Sequence, residues 1–151
     1  MDIRLLGKEE PLPMELLLEA DPSETLVRSY CTESRVYAVE NDEGILGVLV
    51  LYPLDESVAE IKNIAVAESA RGNGFGKKLI SHALAEAKRL GFRKAVIGTG
   101  NSSFGQLALY QKCGFRMVSI DRGFFLRNYS EPIVENGIPC EDMVRLEYEL
   151  R

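Results

Sequence analysis

A predicted strand, a glycine-rich loop and a predicted helix follow one another between Glu60 and Leu90, EIKNIAVAESARGNGFGKKLISHALAEAKRL. Alternating apolar residues indicate the strand, and apolar residues at helical spacing indicate the helix. The loop contains three glycines (Gly72, Gly74 and Gly76). Backbone amides at a helix N-terminus have no intrahelical partner and lie at the positive end of the helix dipole, and glycine lets an anion approach closely. The sequence therefore predicts a phosphate-binding loop.

Three classes of glycine-rich phosphate loop are candidates for this stretch. A P-loop requires glycine at the position of Arg71 and a hydroxyl residue at the position of Lys78, so that class is excluded. A dinucleotide fingerprint requires Gly-x-Gly-x-x-Gly in an early strand–helix unit, whereas this spacing is Gly-x-Gly-x-Gly and lies far into the chain. The remaining interpretations are an Arg71-x-x-Gly74-x-Gly76 pyrophosphate loop and a turn without a ligand.

The composition is typical of one globular domain covering residues 1–151, with 46% hydrophobic and 27% charged residues. The net charge of −5 argues against nucleic acid as a partner and suits a cationic acceptor such as an amine. No apolar run approaches the roughly 18 residues that a membrane span needs, and the N-terminus does not resemble a signal peptide. We therefore expect a cytoplasmic protein. Three scattered cysteines predict reduced thiols and no metal site.

The predicted element order is β, α, α, β, β, β, α, β, α, β, β. The first two helices are predicted over 14–20 and 24–30, because prolines and an Asp-Pro-Ser break flank them. Ser103-x-x-Gln106 predicts a capping box at the start of the last helix. Asn136-Gly137 predicts a tight turn in the segment before the final strand. Three aromatic residues of that segment either complete the core or form a substrate wall (Phe124, Phe125 and Tyr129).

Two signatures together resemble those of the GNAT superfamily of acyl-CoA N-acyltransferases. The first is the Arg71-x-x-Gly74-x-Gly76 loop, and the second is Asn101 followed by Leu109-Tyr110-x-Lys112-x-Gly114-Phe115. Their order and spacing cover nearly the whole chain. Short stretches are also similar to those of bacterial ribosomal-protein alanine N-acetyltransferases (Ile64-Ala65-Val66, Arg127-Asn128-Tyr129 and Glu141-Asp142-Met143).

The resemblance implies an α/β (α+β) fold with a mixed central sheet of about seven strands, flanked by about four helices and splayed between the fourth and fifth strands. It implies acetyl-CoA as co-substrate and no metal. Backbone groups of one tripeptide would pair with the pantetheine amides (Ile64, Ala65 and Val66). The loop would hold the pyrophosphate (Arg71, Gly72, Asn73, Gly74, Phe75, Gly76 and Lys77). Asn101 would bond the pantetheine arm, and Lys112 either reaches the nucleotide phosphate or is plain surface charge.

The resemblance also implies roles in the chemistry. Tyr110 lies at the position of the acid that protonates the departing thiolate. Alanine acetyltransferases place a glutamate on the fifth strand where this chain has Val96, so Glu60 on the fourth strand is the substitute base, unless it is an exposed strand carboxylate. The acceptor pocket is expected to include two acidic residues and the aromatic segment (Asp21, Glu24, Phe124, Phe125 and Tyr129).

Two functions of different classes remain open from the sequence. The first is transfer of acetyl from acetyl-CoA, by direct attack in a ternary complex, to a primary amine on a small molecule, an antibiotic-like compound or a protein N-terminus. The second is an acyl-CoA-binding or sensing module that has lost catalysis. Transfer to oxygen is a further alternative. A homodimer that pairs through C-terminal strands is expected from the resemblance.

Overall fold

The computed structural model describes residues 2–150. Seven of its strands form one mixed sheet in the order β1-β2-β3-β4-β5-β9-β6, and β7 and β8 form a separate hairpin. This confirms the predicted α/β class and the seven-stranded sheet; the described residues contain five α-helices where about four were predicted. Contacts divide the chain into two compact units, one of Met1–Ala95 and Leu150–Arg151 and one of Val96–Glu149. The single-domain organisation and the splay stay predictions.

The first unit is an antiparallel run of strands with helices on both faces. It comprises β1 (Ile3–Leu5), α1 (Met14–Ala20), α2 (Glu24–Cys31), β2 (Arg35–Asn41), β3 (Gly44–Pro53), β4 (Val58–Val66), a 3-10 helix (Glu68–Ala70), α3 (Phe75–Arg89) and the start of β5 (Lys94–Gly100). Strands β1 to β4 pair successively in antiparallel fashion.

Apolar residues pack helices against both faces of this sheet. Leu17 of α1 and Val27 of α2 are completely buried in a cluster with Val48 and Val50 of β3. On the other face α3 contacts β2, β3 and β4. A Cβ added at Gly47 would lie 3.1 Å from the Leu79 side chain, so glycine permits this close helix–sheet packing.

Local sequence explains where these elements begin and end. Helix α1 begins after Pro13 and ends before Asp21, as predicted, and α2 begins where the Ser23 hydroxyl accepts a hydrogen bond from the Leu26 amide at 3.2 Å. In the β2–β3 turn, the Asn41 side chain accepts hydrogen bonds from the Glu43 amide at 2.8 Å and the next amide at 3.1 Å. Such short-range bonds fix a turn without help from the rest of the fold.

A β-bulge interrupts the pairing of β3 with β4. Val50 lies opposite Asn63, but the next residue, Leu51, lies opposite Ile61, so Lys62 has no partner on β3. A bulge of this kind adds one residue to one strand and bends it locally. The sequence analysis did not predict it.

The second unit contains the rest of β5, α4 (Phe104–Lys112), β6 (Arg116–Asp121), α5 (Phe124–Asn128), β7 (Val134–Glu135), β8 (Ile138–Pro139) and β9 (Met143–Glu149). Strand β6 pairs with β9 in antiparallel fashion. Positive φ values of 55° at Asn136 and 73° at Gly137 confirm the predicted tight turn between β7 and β8. Helix α5 and the β7–β8 hairpin were not predicted.

The predicted capping box at Ser103 is wrong. Helix α4 has no side-chain cap bond, and the Ser103 hydroxyl instead donates to the Glu135 carboxylate at 2.7 Å. The sequence pattern considers only residues three apart, whereas Glu135 lies on β7. A more distant and charged acceptor has replaced the local one.

Candidate functional site

The glycine loop of the first unit has the geometry of an anion site. Gly72 and Gly74 have φ values of 82° and 77°, a conformation that side chains rarely adopt, and Gly74 caps α3. The first intrahelical hydrogen bond of α3 runs from the Lys78 amide to the Gly74 carbonyl at 3.0 Å. The amides of the three preceding residues therefore have no carbonyl acceptor within the helix (Phe75, Gly76 and Lys77).

Side chains around this loop stabilise it and give it positive charge. The Arg71 guanidinium donates to the Val66 carbonyl at 3.1 Å and pairs with Glu19 at 2.9 Å, while the Asn73 amide donates to the Ala70 carbonyl at 2.9 Å. Arg71 therefore ties the loop to β4 and α1. A cavity of about 380 Å³ adjoins the loop, and two lysines contribute to its lining (Asp2, Ile3, Gly74, Lys77, Lys78, Ser81 and His82).

The tripeptide expected to pair with pantetheine lies at the end of β4, directly before the loop. Ile64, Ala65 and Val66 pair with β3, and Ala65 is buried while its two neighbours are half-buried. The structure thus places this strand segment and the anion site in continuous sequence. Pairing of this backbone with pantetheine stays a prediction.

A hydrogen-bonded network joins α1, α2 and β4 on one face of the sheet. The Tyr30 hydroxyl donates to the Asp21 carboxylate at 3.0 Å and accepts from the Asn63 amide at 3.1 Å. The Asn63 side-chain amide also donates to the Leu17 carbonyl at 3.0 Å, and the Asp21 carboxylate accepts from the Ser23 backbone amide at 3.1 Å. Burial raises the pKa of Tyr30 well above its ordinary value, so its hydroxyl remains protonated.

Glu60 lies beside this network. Its carboxylate is 3.4 Å from the Lys62 ammonium, and the Glu60 side chain is only 13% exposed while that of Lys62 is 32% exposed. The ammonium also lies 5.9 Å from the centre of the Tyr30 ring and 5.3 Å from that of Tyr52. Glu60 is therefore a partly buried, paired carboxylate, which differs from the exposed strand residue considered as the alternative.

The two acidic residues expected in the acceptor pocket have different surroundings. Asp21 is 8% exposed and belongs to the Tyr30 network. Glu24 forms an ion pair with Arg28 one turn along α2 at 2.8 Å, and both side chains are more than half exposed. The structure therefore brings Asp21 and Glu60 into one cluster and places Glu24 in a surface pair.

Tyr110 lies within the second unit with its side chain 4% exposed, and its ring is 6.4 Å from that of Phe115. Burial raises the pKa of Tyr110 well above its ordinary value, with smaller contributions from Cys113 and Glu135. Among residues 2–150, its hydroxyl has no hydrogen-bond partner. The Tyr110 phenol is therefore protonated, and its O–H group is available to donate a hydrogen bond to a ligand.

Asn101 has a structural role that the sequence analysis did not predict. Its side-chain oxygen accepts from the amides of Glu141 and Asp142 at 2.9 and 3.0 Å, and its side-chain nitrogen donates to the Pro139 carbonyl at 3.1 Å. These bonds fix the segment between β8 and β9. Only one N–H of the amide remains for the expected bond to pantetheine.

The aromatic residues of the second unit contact one another in and after α5. Phe124 meets Phe125 edge to face at 5.1 Å, Phe125 stacks on Tyr129 at 5.7 Å, and the Arg145 guanidinium lies 5.7 Å from the Phe124 ring. All three rings are half-buried. Lys112 is exposed at the C-terminal end of α4. The substrate role of the aromatics and the phosphate role of Lys112 stay predictions.

The three cysteines are free, with Cys31 and Cys140 buried and Cys113 half-buried. Burial raises the pKa of Cys31 to about 11 and also raises that of Cys140, so both remain thiols. No cluster of three potential metal-ligating side chains occurs within residues 2–150. In the same part of the chain, no helix has the length and apolarity of a membrane span.

The sequence analysis did not predict four residues that surround Glu60 and Asp21 (Tyr30, Tyr52, Lys62 and Asn63). Lys62 follows Ile61 in a predicted strand, and a single lysine in such a strand is ordinarily an exposed side chain. The only usable signal was compositional: IKNI places two polar residues together in a strand whose other inward positions are apolar. That signal does not identify their partners.

Comparison with known proteins gives one consistent result. A family model described as acetyltransferase (GNAT) family matches residues 6–115. The uncharacterized N-acetyltransferase YvbK of Bacillus subtilis is 51% identical over 136 residues, which cover 90% of this chain and 88% of that protein.

Solved structures agree with the sequence matches. A GNAT family acetyltransferase from Elizabethkingia anophelis with acetyl-CoA bound superposes with a TM-score of 0.95 at 48% identity, covering 98% of this chain and 97% of that one. A Bacillus subtilis acetyltransferase in complex with CoA gives 0.92 at 48%, covering 99% and 98%. The ribosomal-protein-S18-alanine N-acetyltransferase of Escherichia coli shares the fold, with a TM-score of 0.80 at 19% identity, covering 99% and 93%.

Proposed function

Because the chain belongs to the acetyltransferase (GNAT) family and is thereby an acetyl-CoA-dependent N-acetyltransferase, we propose that its acceptor is a primary amine. The observation on which this rests is Glu60, a carboxylate only 13% exposed on the strand that leads into the anion loop. An amine reaches the enzyme mainly as ammonium, with a pKa of about 10, and must lose a proton before it attacks. A partly buried carboxylate attracts the ammonium and accepts that proton, directly or through water.

Acetyl-CoA is expected to bind along β4 and on the loop that follows it. In this proposal the backbone of residues 64–66 pairs with the pantetheine amides, and the unpaired amides at the start of α3 bind the pyrophosphate. Homologues with acetyl-CoA or CoA bound support this assignment of the co-substrate. The charges of Lys77 and Lys78, which line the cavity beside the loop, favour an anionic ligand here, while Arg71, paired with Glu19, holds the loop to α1.

The proposed reaction is a direct attack in a ternary complex. The amine nitrogen forms a bond to the thioester carbonyl carbon, and the carbon–sulfur bond breaks. A backbone N–H at Ile64 or Ala65 polarises the carbonyl and stabilises the oxyanion. Direct attack is supported by the cysteines, because the buried thiols Cys31 and Cys140 have raised pKa values and are unsuited to form an acetyl-enzyme.

We assign to Tyr110 the role of hydrogen-bond donor to the departing CoA sulfur. Its hydroxyl is protonated and has no partner within residues 2–150. Since its pKa lies above that of a thiol, about 8.5, complete proton transfer to the thiolate is uphill. Donation of a hydrogen bond to the developing negative charge is the contribution that this tyrosine is suited to make.

We further propose a cytoplasmic protein that forms a homodimer through β6. This edge strand is exposed along most of its length, with Met117, Val118 and Ile120 each more than half exposed. An exposed apolar edge strand is a ready surface for pairing with a second chain. Measurement of the mass in solution by light scattering tests the proposal, and a monomer at all concentrations contradicts it.

The test of function is release of free CoA thiol from acetyl-CoA in the presence of different acceptors. The panel includes amino acids, polyamines, aminoglycosides and short peptides with varied first residues, together with alcohols that test transfer to oxygen. Turnover of an amine, with initial-rate lines that intersect when both substrates are varied, supports N-transfer in a ternary complex. Tight acetyl-CoA binding with no turnover on any acceptor contradicts the proposal and supports a module that has lost catalysis.

A further inference from the structure

Lys62 is the extra residue of the β-bulge in β4, the residue that a regular strand would lack. Its neighbours Ile61 and Asn63 pair with consecutive residues of β3, so Lys62 is the additional residue. It lies two positions from Glu60, and the two side chains meet at 3.4 Å. The bulge thus adds a cation directly beside the carboxylate to which we assign the base role.

Two tyrosine rings restrict this cation. Tyr52 is the cross-strand neighbour of Glu60, and its ring centre is 5.3 Å from the Lys62 ammonium. The Tyr30 ring centre is 5.9 Å from the same ammonium, and the Tyr30 hydroxyl is hydrogen-bonded to Asp21 and Asn63. An ammonium attracted to ring faces and to a carboxylate has less freedom than a surface lysine. Lys62 is therefore a positioned charge.

The exposed fractions show that this ion pair is accessible to a ligand. Lys62 retains 32% of its side-chain exposure and Glu60 retains 13%, so neither charge is sealed in the core. An ammonium has three N–H donors, and the contact with the Glu60 carboxylate uses at most one N–H of Lys62. A negative and a positive group thus stand side by side at the surface where the acceptor is expected.

We propose that the acceptor is an amino acid or a closely similar aminocarboxylate, whose ammonium is bound by Glu60 and whose carboxylate is bound by Lys62. This inference rests on the proposed N-acetyltransferase function. An adjacent pair of opposite charges is complementary to a small zwitterion, because each ligand charge meets its opposite. A simple amine or a polyamine brings positive charge next to Lys62 without a compensating contact.

The same arrangement explains how the product would leave. Acetylation forms a nitrogen–carbon bond and breaks the carbon–sulfur bond of the thioester. The ammonium loses one proton to Glu60 before the attack and a second proton from the same nitrogen after it, and this second proton passes through solvent to the CoA thiolate. The product is an uncharged amide that still has a carboxylate. It loses its attraction to Glu60 and keeps only the contact with Lys62, so it binds more weakly than the zwitterion.

Matched acceptors test the inference. Alanine, leucine and phenylalanine are compared with their carboxamides and with the corresponding amines that lack the carboxyl group, and kcat/KM is measured by CoA release. We expect each acid to exceed its carboxamide by about 10- to 100-fold, as one charge-assisted hydrogen bond implies. In Lys62→Met, which retains side-chain length without charge, this ratio should fall to about one.

Lys88→Met provides the control, because Lys88 is an exposed lysine in the last turn of α3, and its acid-to-amide ratio should equal that of the original chain. Acetyl-CoA affinity and thermal unfolding of each variant confirm that the fold is intact. If simple amines are acetylated as well as the acids, or if Lys62→Met keeps the preference, the aminocarboxylate inference is wrong while the amine function stands. If no amine is acetylated although acetyl-CoA binds, both proposals are wrong.

Discussion

Replacement of Tyr110 by phenylalanine should reduce catalysis without destabilising the fold. The Tyr110 side chain is buried and its hydroxyl has no hydrogen-bond partner within residues 2–150, so phenylalanine removes no hydrogen bond that stabilises the folded chain. If it donates to the departing sulfur, kcat should fall by about 100-fold, the lower end of the effect of a proton-donating side chain. The lower end is expected because a thiolate is already a good leaving group.

The stability effect can be estimated from the same contacts. The Tyr110 hydroxyl makes no hydrogen bond within residues 2–150 and is not among the fully buried polar atoms that lack a partner, so its removal should change the free energy of unfolding by less than about 0.5 kcal/mol. For a chain of this length the Tm should stay within about 2 °C of its original value. Tyr30→Phe is the matched comparison, because its hydroxyl makes two side-chain hydrogen bonds, one of them to a carboxylate. We expect that variant to lose about 2 to 3 kcal/mol and its Tm to fall by roughly 5 to 10 °C.

Three measurements on the two variants decide the matter: steady-state CoA release at saturating acetyl-CoA, acetyl-CoA affinity by calorimetry, and thermal unfolding by circular dichroism. The Tyr110→Phe chain should bind acetyl-CoA normally. The reasoning is refuted if this variant keeps its kcat within about threefold. It is also refuted if its Tm falls as far as that of Tyr30→Phe, since the hydroxyl would then be part of the folded network.

Two further predictions concern stability alone. Gly100→Ala should cost about 1 to 3 kcal/mol in urea unfolding, because the new Cβ would overlap the Cys140 sulfur. Gly105→Ala in α4 should be neutral or stabilising, because a Cβ there would have nothing within 4 Å. Equal urea midpoints for the two variants would contradict this. The free energy of unfolding should fall as pH rises above about 10, because tyrosines ionise in the unfolded chain while burial keeps them protonated in the folded one, and a constant value up to about pH 11 would contradict it. The tyrosines with raised pKa values are Tyr30, Tyr37 and Tyr110.

Elements set by neighbouring residues could be predicted from the sequence. The bounds of α1 were predicted correctly because Pro13 and the Asp21-Pro22 pair limit the helix on both sides. The Asn136-Gly137 turn and the glycine loop before α3 were predicted for the same reason, since glycine and asparagine tolerate the positive φ values that the structure shows. The family resemblance likewise rested on local motifs, the glycine loop and the stretch from Asn101 to Phe115.

Features that depend on distant partners could not be predicted. Ser103 has a capping sequence, yet its hydroxyl bonds to Glu135, whose approach is decided by the β7–β8 hairpin. Asn101 matched a ligand-binding position, yet its amide also fixes the segment after β8. The neighbours of Lys62 come from α2 and β3, and the alternation of β4 gives no sign of its bulge.

The bulge at Lys62 has a consequence for how this chain tolerates insertions and deletions. If Lys62 were deleted, Ile61 and Asn63 would become consecutive residues opposite Leu51 and Val50, which are already their partners. Most one-residue deletions within a strand turn the following side chains to the opposite face. Deletion of this codon would leave the residue pairs between β3 and β4 in place and remove one positive charge. A single-codon change could therefore alter the chemistry of this surface in related genes while β3 and β4 stay in register.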